Sequence, residues 1–277
     1  MWPFLFEIGG APVRTYGVLV ALGYLTGILW LMSQRRNMEL AWGEFWALTY
    51  TLFLAALVGG KLGYLLVERE WLLEEPLELI RNWRSGWVFW GGVFLALFAG
   101  WVFQQAYNRL YRPRRYLPVS DYFLTALPLG HWIGRLGCFS KGCCHGRPTD
   151  MPWGIAFTLP ACDVEEELLG IPLHPTQLYE AAGELAIGLF LVLHVLPNIR
   201  RGRYRTGTAT FGYLALYALL RLLVEFFRGD DRGTLLGPIL SPSQWASLAA
   251  LGWAGGMLWR RGIRERDPQG RSIFMDG

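Results

Sequence analysis

Apolar residues run along this chain in long blocks rather than in the short alternations of a half-buried sheet. Seven blocks are long enough to cross about 30 Å of hydrocarbon. They cover residues 15–33, 44–66, 86–104, 118–134, 177–195, 207–227 and 243–259. The fourth is the least apolar. It carries Asp121, Pro128 and His131, so it either needs shelter from lipid or is a re-entrant segment, which would leave six crossings. Two connections are long. Residues 67–85 mix acids with Trp71, Leu72, Leu73, Leu77 and Ile80, a pattern that suits an amphipathic segment lying in the interface. Residues 135–176 are rich in Gly, Pro and Cys and lack a spanning pattern. They are expected to form a small extracytoplasmic cap between helices four and five.

The pattern predicts an all-α polytopic membrane protein of about seven transmembrane helices, organised as one membrane domain over residues 1–277. Composition agrees. Hydrophobic residues make up 53% of the 277, charged residues only 17%, and the mean hydropathy is +0.26. Soluble domains carry about 25% charged residues. The 14 Trp and 12 Tyr suit belts at the two membrane interfaces. The N-terminal stretch lacks a basic region and a small-residue cleavage site, so the first helix is expected to be retained. No internal repeat of the kind that marks many transporters is evident.

Cation distribution orients the chain. The loops after the first, third and fifth blocks and the C-terminal tail hold fifteen cations, against nine on the other side. The cation-rich side is expected to be cytoplasmic, which places the N-terminus outside and the C-terminus inside. With that orientation, groups of interest from all seven segments fall near the outer end. They include Arg14 and Tyr16, Lys61, Trp90, His131 and Arg135, His174 and Glu180, Arg221 and Glu225, and Gln244. Asp121 alone belongs to the inner half. Ionisable groups in a membrane are expensive and are functional suspects by default. Charges clustered toward one face also argue against an ion-coupled transporter, whose site lies near the midplane.

Three strings carry candidate chemistry. Tyr217, Arg221, Glu225 and Arg228 are spaced by four, four and three, and so share a helical face. Two guanidinium groups around one carboxylate leave positive charge, and the planar guanidinium fork suits phosphate. In residues 130–150, Gly134, Gly137, Gly142 and Gly146 accompany Arg135. Such glycines let backbone approach a phosphate closely, though they also suit ordinary turns. Cys138, Cys143 and Cys144 match no standard zinc spacing. A disulfide among these cysteines and Cys162, with the partners left open, or plain buried thiols are the remaining readings. In residues 174–180, HPTQLYE, Thr176 looks like an N-cap with Glu180 in the first turn. A site role for His174 and its neighbours is the other reading. His194 reads as structural and Asp121 as an early-turn acid of helix four.

Taken in order, VRTYG (13–17), SGWVFWGG (85–92), GRLGCF (134–139) with Gly146, HPTQLYE (174–180), YALLRLLVEFFR (217–228) and ILSPSQW (239–245) resemble the motifs of the prolipoprotein diacylglyceryl transferase family. The resemblance spans most of the chain. It implies transfer of the diacylglyceryl group of phosphatidylglycerol to a lipobox cysteine thiol of a preprotein, in the bacterial inner membrane, with a thioether formed and glycerol phosphate released. Arg135 resembles the signature arginine that contacts the headgroup, and Tyr16 the family's first-helix tyrosine. Tyr217, Arg221 and Glu225 resemble the charged face of helix six, and Gly146 the glycine closing the signature. The expected catalytic residues are therefore Arg135, Arg221, Glu225, Tyr16 and His174. Those expected to bind substrate are Arg135, Gly146, Tyr217, Arg221, Arg228, Cys138 and Trp90. The resemblance departs from the family at three positions. Trp90 stands where the family commonly has histidine, Cys138 follows GRxG in place of asparagine, and Cys143 aligns with an acidic residue. His131, His174 and Glu225 are then the candidate general bases. A non-catalytic phospholipid-binding or lipid-translocating paralogue is the rival reading. The expected partners are phosphatidylglycerol and lipobox-containing preproteins. Nucleic acid, cofactor and metal are not expected.

Overall fold

The computed structural model describes residues 2–67, 87–111, 113–229 and 240–263. The interfacial segment expected at 67–85 lies, Val67 apart, outside the described residues. Seven long helices follow one another: α1 (Thr15–Gln34), α2 (Trp42–Val67), α3 (Phe89–Leu110), α4 (Tyr116–Lys141), α5 (Thr176–Arg200), α6 (Thr208–Glu225) and α7 (Pro242–Arg261). Among the described residues, α1, α2, α3, α5 and α6 are both long and apolar enough to cross a membrane. The 26 residues of α4 and the 20 of α7 span about 39 and 30 Å at 1.5 Å per residue, but they are more polar. The protein is an all-α, multi-pass membrane protein. The outward faces of α1 and α2 fit that reading, since Leu22, Leu25, Leu29, Leu54, Val58 and Leu62 are exposed, as lipid-facing residues must be.

The helical reading misses one element. Strands β1 (Phe4–Ile8) and β2 (Ala11–Arg14) pair antiparallel ahead of α1. Gly9 and Gly10 join them, both at positive φ (57° and 80°), as a two-residue hairpin turn of the primed type requires.

The chain forms two compact units. Among the described residues, the first comprises those within 1–34, 120–231 and 247–270, and the second those within 35–119 and 232–246.

In the second unit α2 and α3 approach so closely that side chains are excluded between them. A Cβ on Gly92 would stand 2.8 Å from the Ala56 carbonyl oxygen, and one on Gly59 2.6 Å from Leu95 Cβ. Small residues at a helix crossing let dispersion and backbone contact replace the hydrophobic effect, which is absent between helices in lipid. Trp90 is buried here, stacked on Phe94 with centroids 5.6 Å apart. Arg114 is fully buried in the same unit. It pairs with Glu44, bonds Gln104 Oε1 at 3.4 Å, and lies over the Tyr107 ring at 4.5 Å.

In the first unit α1 crosses α4 at Gly23 and Gly130, where a Cβ on either would come within 2.5 Å of the other's carbonyl oxygen. Asp121 proves to be something other than an early-turn acid of its own helix. It accepts from the Gly207 amide (2.6 Å), the Thr210 amide (2.8 Å) and the Thr210 hydroxyl (2.9 Å). A carboxylate on α4 thus satisfies the free amides at the start of α6, where the helix dipole also favours negative charge. Helix α5 runs on to Arg200 through a π-helical turn at Leu191–Val195. Pro197 lies just beyond and has no amide to donate back into the helix. His194 packs there on Phe190 and meets Tyr204 OH at 3.0 Å, a structural role as expected.

Between α4 and α5, residues 142–175 form a small layer with its own core of Phe157, Cys162, Val164 and Leu173. Strands β3 (Ile155–Ala156) and β4 (Pro172–Leu173) pair inside it.

Candidate functional site

Three helices of the first unit carry the charges. On α4, His131 and Arg135 are one turn apart; on α5, Glu184 and Glu180 are one turn apart in the opposite sense. Each cation meets an acid: His131 Nδ1 stands 2.5 Å from Glu184 Oε1, and Arg135 Nη2 stands 2.6 Å from Glu180 Oε1. Both carboxylate side chains are fully buried. From α6, Tyr217 OH donates to the same Glu180 Oε1 at 3.1 Å. Glu180 Oε2 and Arg135 Nε have no hydrogen-bond partner among the described residues. One turn further along α6, Arg221 Nη2 pairs with Glu225 Oε2 at 2.5 Å.

Arg135 and Arg221 therefore converge. The Glu180 carboxylate lies in the fields of Arg135, Arg221, His131 and Arg228 together, and the Tyr217 phenol feels both Arg135 and Arg221. Three arginines and three glutamates, 180, 184 and 225, gather in one buried region. Sequence spacing singles out the arginines and Glu225 but reads Glu180 as a first-turn acid. The signal that would have found it was present: a Glu pair at i, i+4 in an apolar helix, matched by a His/Arg pair at i, i+4 in another.

Arg228 arrives by a different route from the expected one. Helix α6 stops at Glu225, so Arg228 is not on its face. It lies in a short antiparallel bridge with Gly146. The Arg147 amide donates to the Phe227 carbonyl (2.9 Å), the Gly146 amide to the His174 carbonyl (2.8 Å), and the His174 amide to the Arg147 carbonyl (3.1 Å). Gly146 thus runs between two other pieces of backbone. A Cβ there would stand 2.6 Å from His174 Cβ and closer still to the Phe227 carbonyl oxygen. That crowding is the physical reason for a glycine.

Thr176 does not cap α5. The N-cap is Pro175, and the Thr176 hydroxyl donates instead to the Cys144 carbonyl at 2.7 Å, while Gln177 Nε2 donates to the Cys143 carbonyl at 2.8 Å. The start of α5 thereby holds the cysteine turn. Cys138, Cys143 and Cys144 bring their Sγ atoms within 4.8 Å of one another as free thiols, and Cys162 is a free thiol in the core of residues 142–175. Tyr16 packs against Gly137, whose Cβ position is 3.3 Å from Tyr16 Cδ2. Its phenol lies within electrostatic reach of Arg135 and the three thiols.

His174 is buried. Its Nδ1 meets Tyr179 OH at 3.1 Å, and Trp153 Nε1 donates to the same hydroxyl at 2.8 Å. Burial, and after it the nearby Arg147, hold the imidazole below its usual pKa. It opens onto an apolar cleft of about 380 Å³, lined also by Met151, Trp153, Leu220, Leu223 and Phe227. Trp90 belongs to the second unit and is stacked in the interior there.

The comparisons with known proteins agree with this architecture. The family profile described as prolipoprotein diacylglyceryl transferase matches residues 3–260. A phosphatidylglycerol–prolipoprotein diacylglyceryl transferase of Geobacter sulfurreducens is 34% identical over 241 residues, covering 85% of this chain and 86% of its own. One from Cupriavidus metallidurans is 34% identical, covering 89% and 88%. One from Clostridium tetani is 29% identical, covering 90% and 93%. By these matches, the chain belongs to the prolipoprotein diacylglyceryl transferase family.

Proposed function

We propose that the protein transfers the diacylglyceryl group of phosphatidylglycerol to the cysteine thiol of a prolipoprotein lipobox, at the outer face of the bacterial inner membrane. The reading is carried by one observation within a member of this family: guanidinium groups from α4 and α6 act on a single buried carboxylate, Glu180. A site that holds a carboxylate between arginines has the chemistry to hold a phosphate there.

The reaction forms a sulfur–carbon bond at the glyceryl carbon and breaks that carbon's bond to the phosphate oxygen. The electron pair of the broken bond leaves with glycerol phosphate. Charge therefore grows on the leaving phosphate, and preorganised cations at that point lower the barrier. Arg135 and Arg221 are assigned that role. Tyr217 orients the phosphate through its hydroxyl, Arg228 adds to the field, and Gly146 keeps backbone close to the headgroup. In the lipid-free protein Glu180 stands in for the phosphate at Arg135. Tyr16 and Cys138 are assigned to the walls that the lipid meets, and Glu225 fixes Arg221.

The thiol must lose its proton to attack. His174, neutral and facing an apolar cleft, is assigned as the acceptor, and the cleft as the way in for the hydrophobic lipobox segment. Residues 1–277 act as a single catalytic domain in this reading, with residues 135–176 as its outer cap.

The test is incubation of the purified protein with phosphatidylglycerol and a lipobox peptide, read by mass spectrometry. The expected result is a peptide heavier by one diacylglyceryl group, resistant to thioester cleavage. Protein that binds the lipid yet never modifies the peptide would support the rival, non-catalytic reading and overturn this one.

A further inference from the structure

The thiols of Cys138, Cys143 and Cys144 take no part in the bond-making and proton-transfer steps derived above, where Cys138 only lines the lipid, yet the fold brings the three together. Helix α4 ends at Lys141, and Gly142 takes the left-handed conformation (φ 87°) that commonly closes a helix. Its amide bonds back to the Cys138 carbonyl at 3.0 Å. Two residues on, Cys144 is also left-handed (φ 64°), a conformation non-glycine residues adopt only when their surroundings impose it. Adjacent cysteines in extended backbone point to opposite sides. Here the left-handed residue turns both sulfurs back toward Cys138. The first turn of α5 fixes that geometry through Gln177 and Thr176, which bond the carbonyls of the two cysteines.

The result is three thiols with every Sγ within 4.8 Å of the others. Three sulfurs each about 2.3 Å from a central ion stand about 4 Å apart, so a small inward movement suffices to close on one. Among the described residues no fourth ligand joins the three: His145, the nearest imidazole in sequence, is bound through Nε2 to Glu165 at 2.9 Å and through Nδ1 to the Gly146 carbonyl. A closed tetrahedral zinc site needs four ligands. Three thiolates alone suit a soft ion that accepts three-coordination. Hydrogen bonding among the three thiols, and after it the charges of Arg135 and Arg228, favours the thiolate at Cys144, while the same bonding opposes it at Cys143.

We propose that Cys138, Cys143 and Cys144 form a three-thiolate site for a soft, thiophilic metal ion of the cuprous type. The ion binds by displacing the thiol protons to solvent, with no change of oxidation state. Cys138 follows Arg135 by three residues on α4, so an occupied site places fixed charge beside the guanidinium. The proposal stands whether or not the transfer reading holds.

The test uses tag-free, full-length protein in detergent, reduced and held without oxygen, titrated with Cu(I) against a competing chelator. The expected result is one equivalent bound per chain with an ultraviolet sulfur-to-metal band, and X-ray absorption showing three sulfur neighbours. Cys138→Ser, Cys143→Ser and Cys144→Ser should each weaken binding by more than about tenfold, the lower end of what loss of a mere supporting group does. Cys162→Ser should leave it unchanged. Thermal melts of the metal-free variants separate lost ligation from lost folding. Equal loss in Cys162→Ser, or no band in the folded wild type, would overturn the proposal. So would a disulfide joining two of the three cysteines in protein isolated without reductant.

Discussion

Two buried arginines, one in each compact unit, serve opposite ends. Arg114 is fully enclosed: Glu44 takes Nη2, Gln104 takes Nε, Asn108 bonds its backbone at both amide and carbonyl, and the Tyr107 ring lies against the guanidinium. Arg135 pairs with Glu180 and keeps 13% of its side chain exposed. Each guanidinium keeps one nitrogen, Arg114 Nη1 and Arg135 Nε, without a hydrogen-bond partner among the described residues; the two differ in enclosure, since the Arg114 side chain is fully buried and that of Arg135 is not. The contrast bears on the proposal: the enclosed arginine ties helices together, and the partly exposed one is assigned to hold an anion, although both pair with a glutamate.

The comparison breaks hardest if Arg114 is replaced. Arg114→Met leaves Glu44 unpaired, and removing one partner of a buried pair destabilises by about 3–5 kcal/mol. The expected result is poor yield or a large fall in melting temperature; a variant that melts like wild type would mean the pair is not structural. Arg135→Gln should cost more than stability. It leaves Glu180 without its charged partner and should lower the melting temperature too, but the turnover of the protein that remains folded should fall by about 10²–10³, as expected for one lost donor to developing charge. If activity falls only in proportion to stability, Arg135 is a second Arg114. His174→Gln should follow with a loss of about 10² in kcat/KM. The pH profile carries the sign. Burial, and after it Arg147, hold the imidazole below the ordinary histidine value of about 6.5, so it stays neutral, and able to accept a proton, as the pH falls past that value. The acid limb of kcat/KM should therefore lie below pH 6.5 and vanish in the variant. The same shift makes stability present above pH 6.5 and lost as the folded-state pKa is crossed on acidification.

The helices were legible because hydrocarbon imposes long apolar blocks, and all seven blocks overlap observed helices. Even the weak fourth block was readable once Asp121 was seen as a problem needing a solution; what spacing could not say is that the solution lies at Gly207 and Thr210, 86 residues or more away. The β1–β2 hairpin was missed although Gly9–Gly10 marks it, because a search for spanning blocks passes over short strands. Spacing found the α6 face but extended it through Arg228, since periodicity does not show where a helix stops. Glu180 was misjudged for the same reason as Asp121. Its sequence position suggested a local role at a helix start, and its partners, Arg135 and Tyr217, come from two other helices.

Glu180 also offers the finest division between the two arginines. If it stands in for phosphate, neutralising it should affect the lipid-free and lipid-bound protein differently. In Glu180→Gln the amide oxygen can still accept from Tyr217 OH, but Arg135 loses its charged partner. Without lipid, the buried guanidinium is left uncompensated, and the melting temperature should drop. With phosphatidylglycerol, the phosphate supplies the missing charge and no longer competes with a carboxylate. The variant should then regain most of the loss and bind the lipid about tenfold more tightly, a difference of about 1.4 kcal/mol. Melting curves with and without phosphatidylglycerol, alongside a zwitterionic lipid control, make the measurement. A loss that lipid does not restore would make Glu180 to Arg135 what Glu44 is to Arg114, and the two regions would differ in position but not in kind.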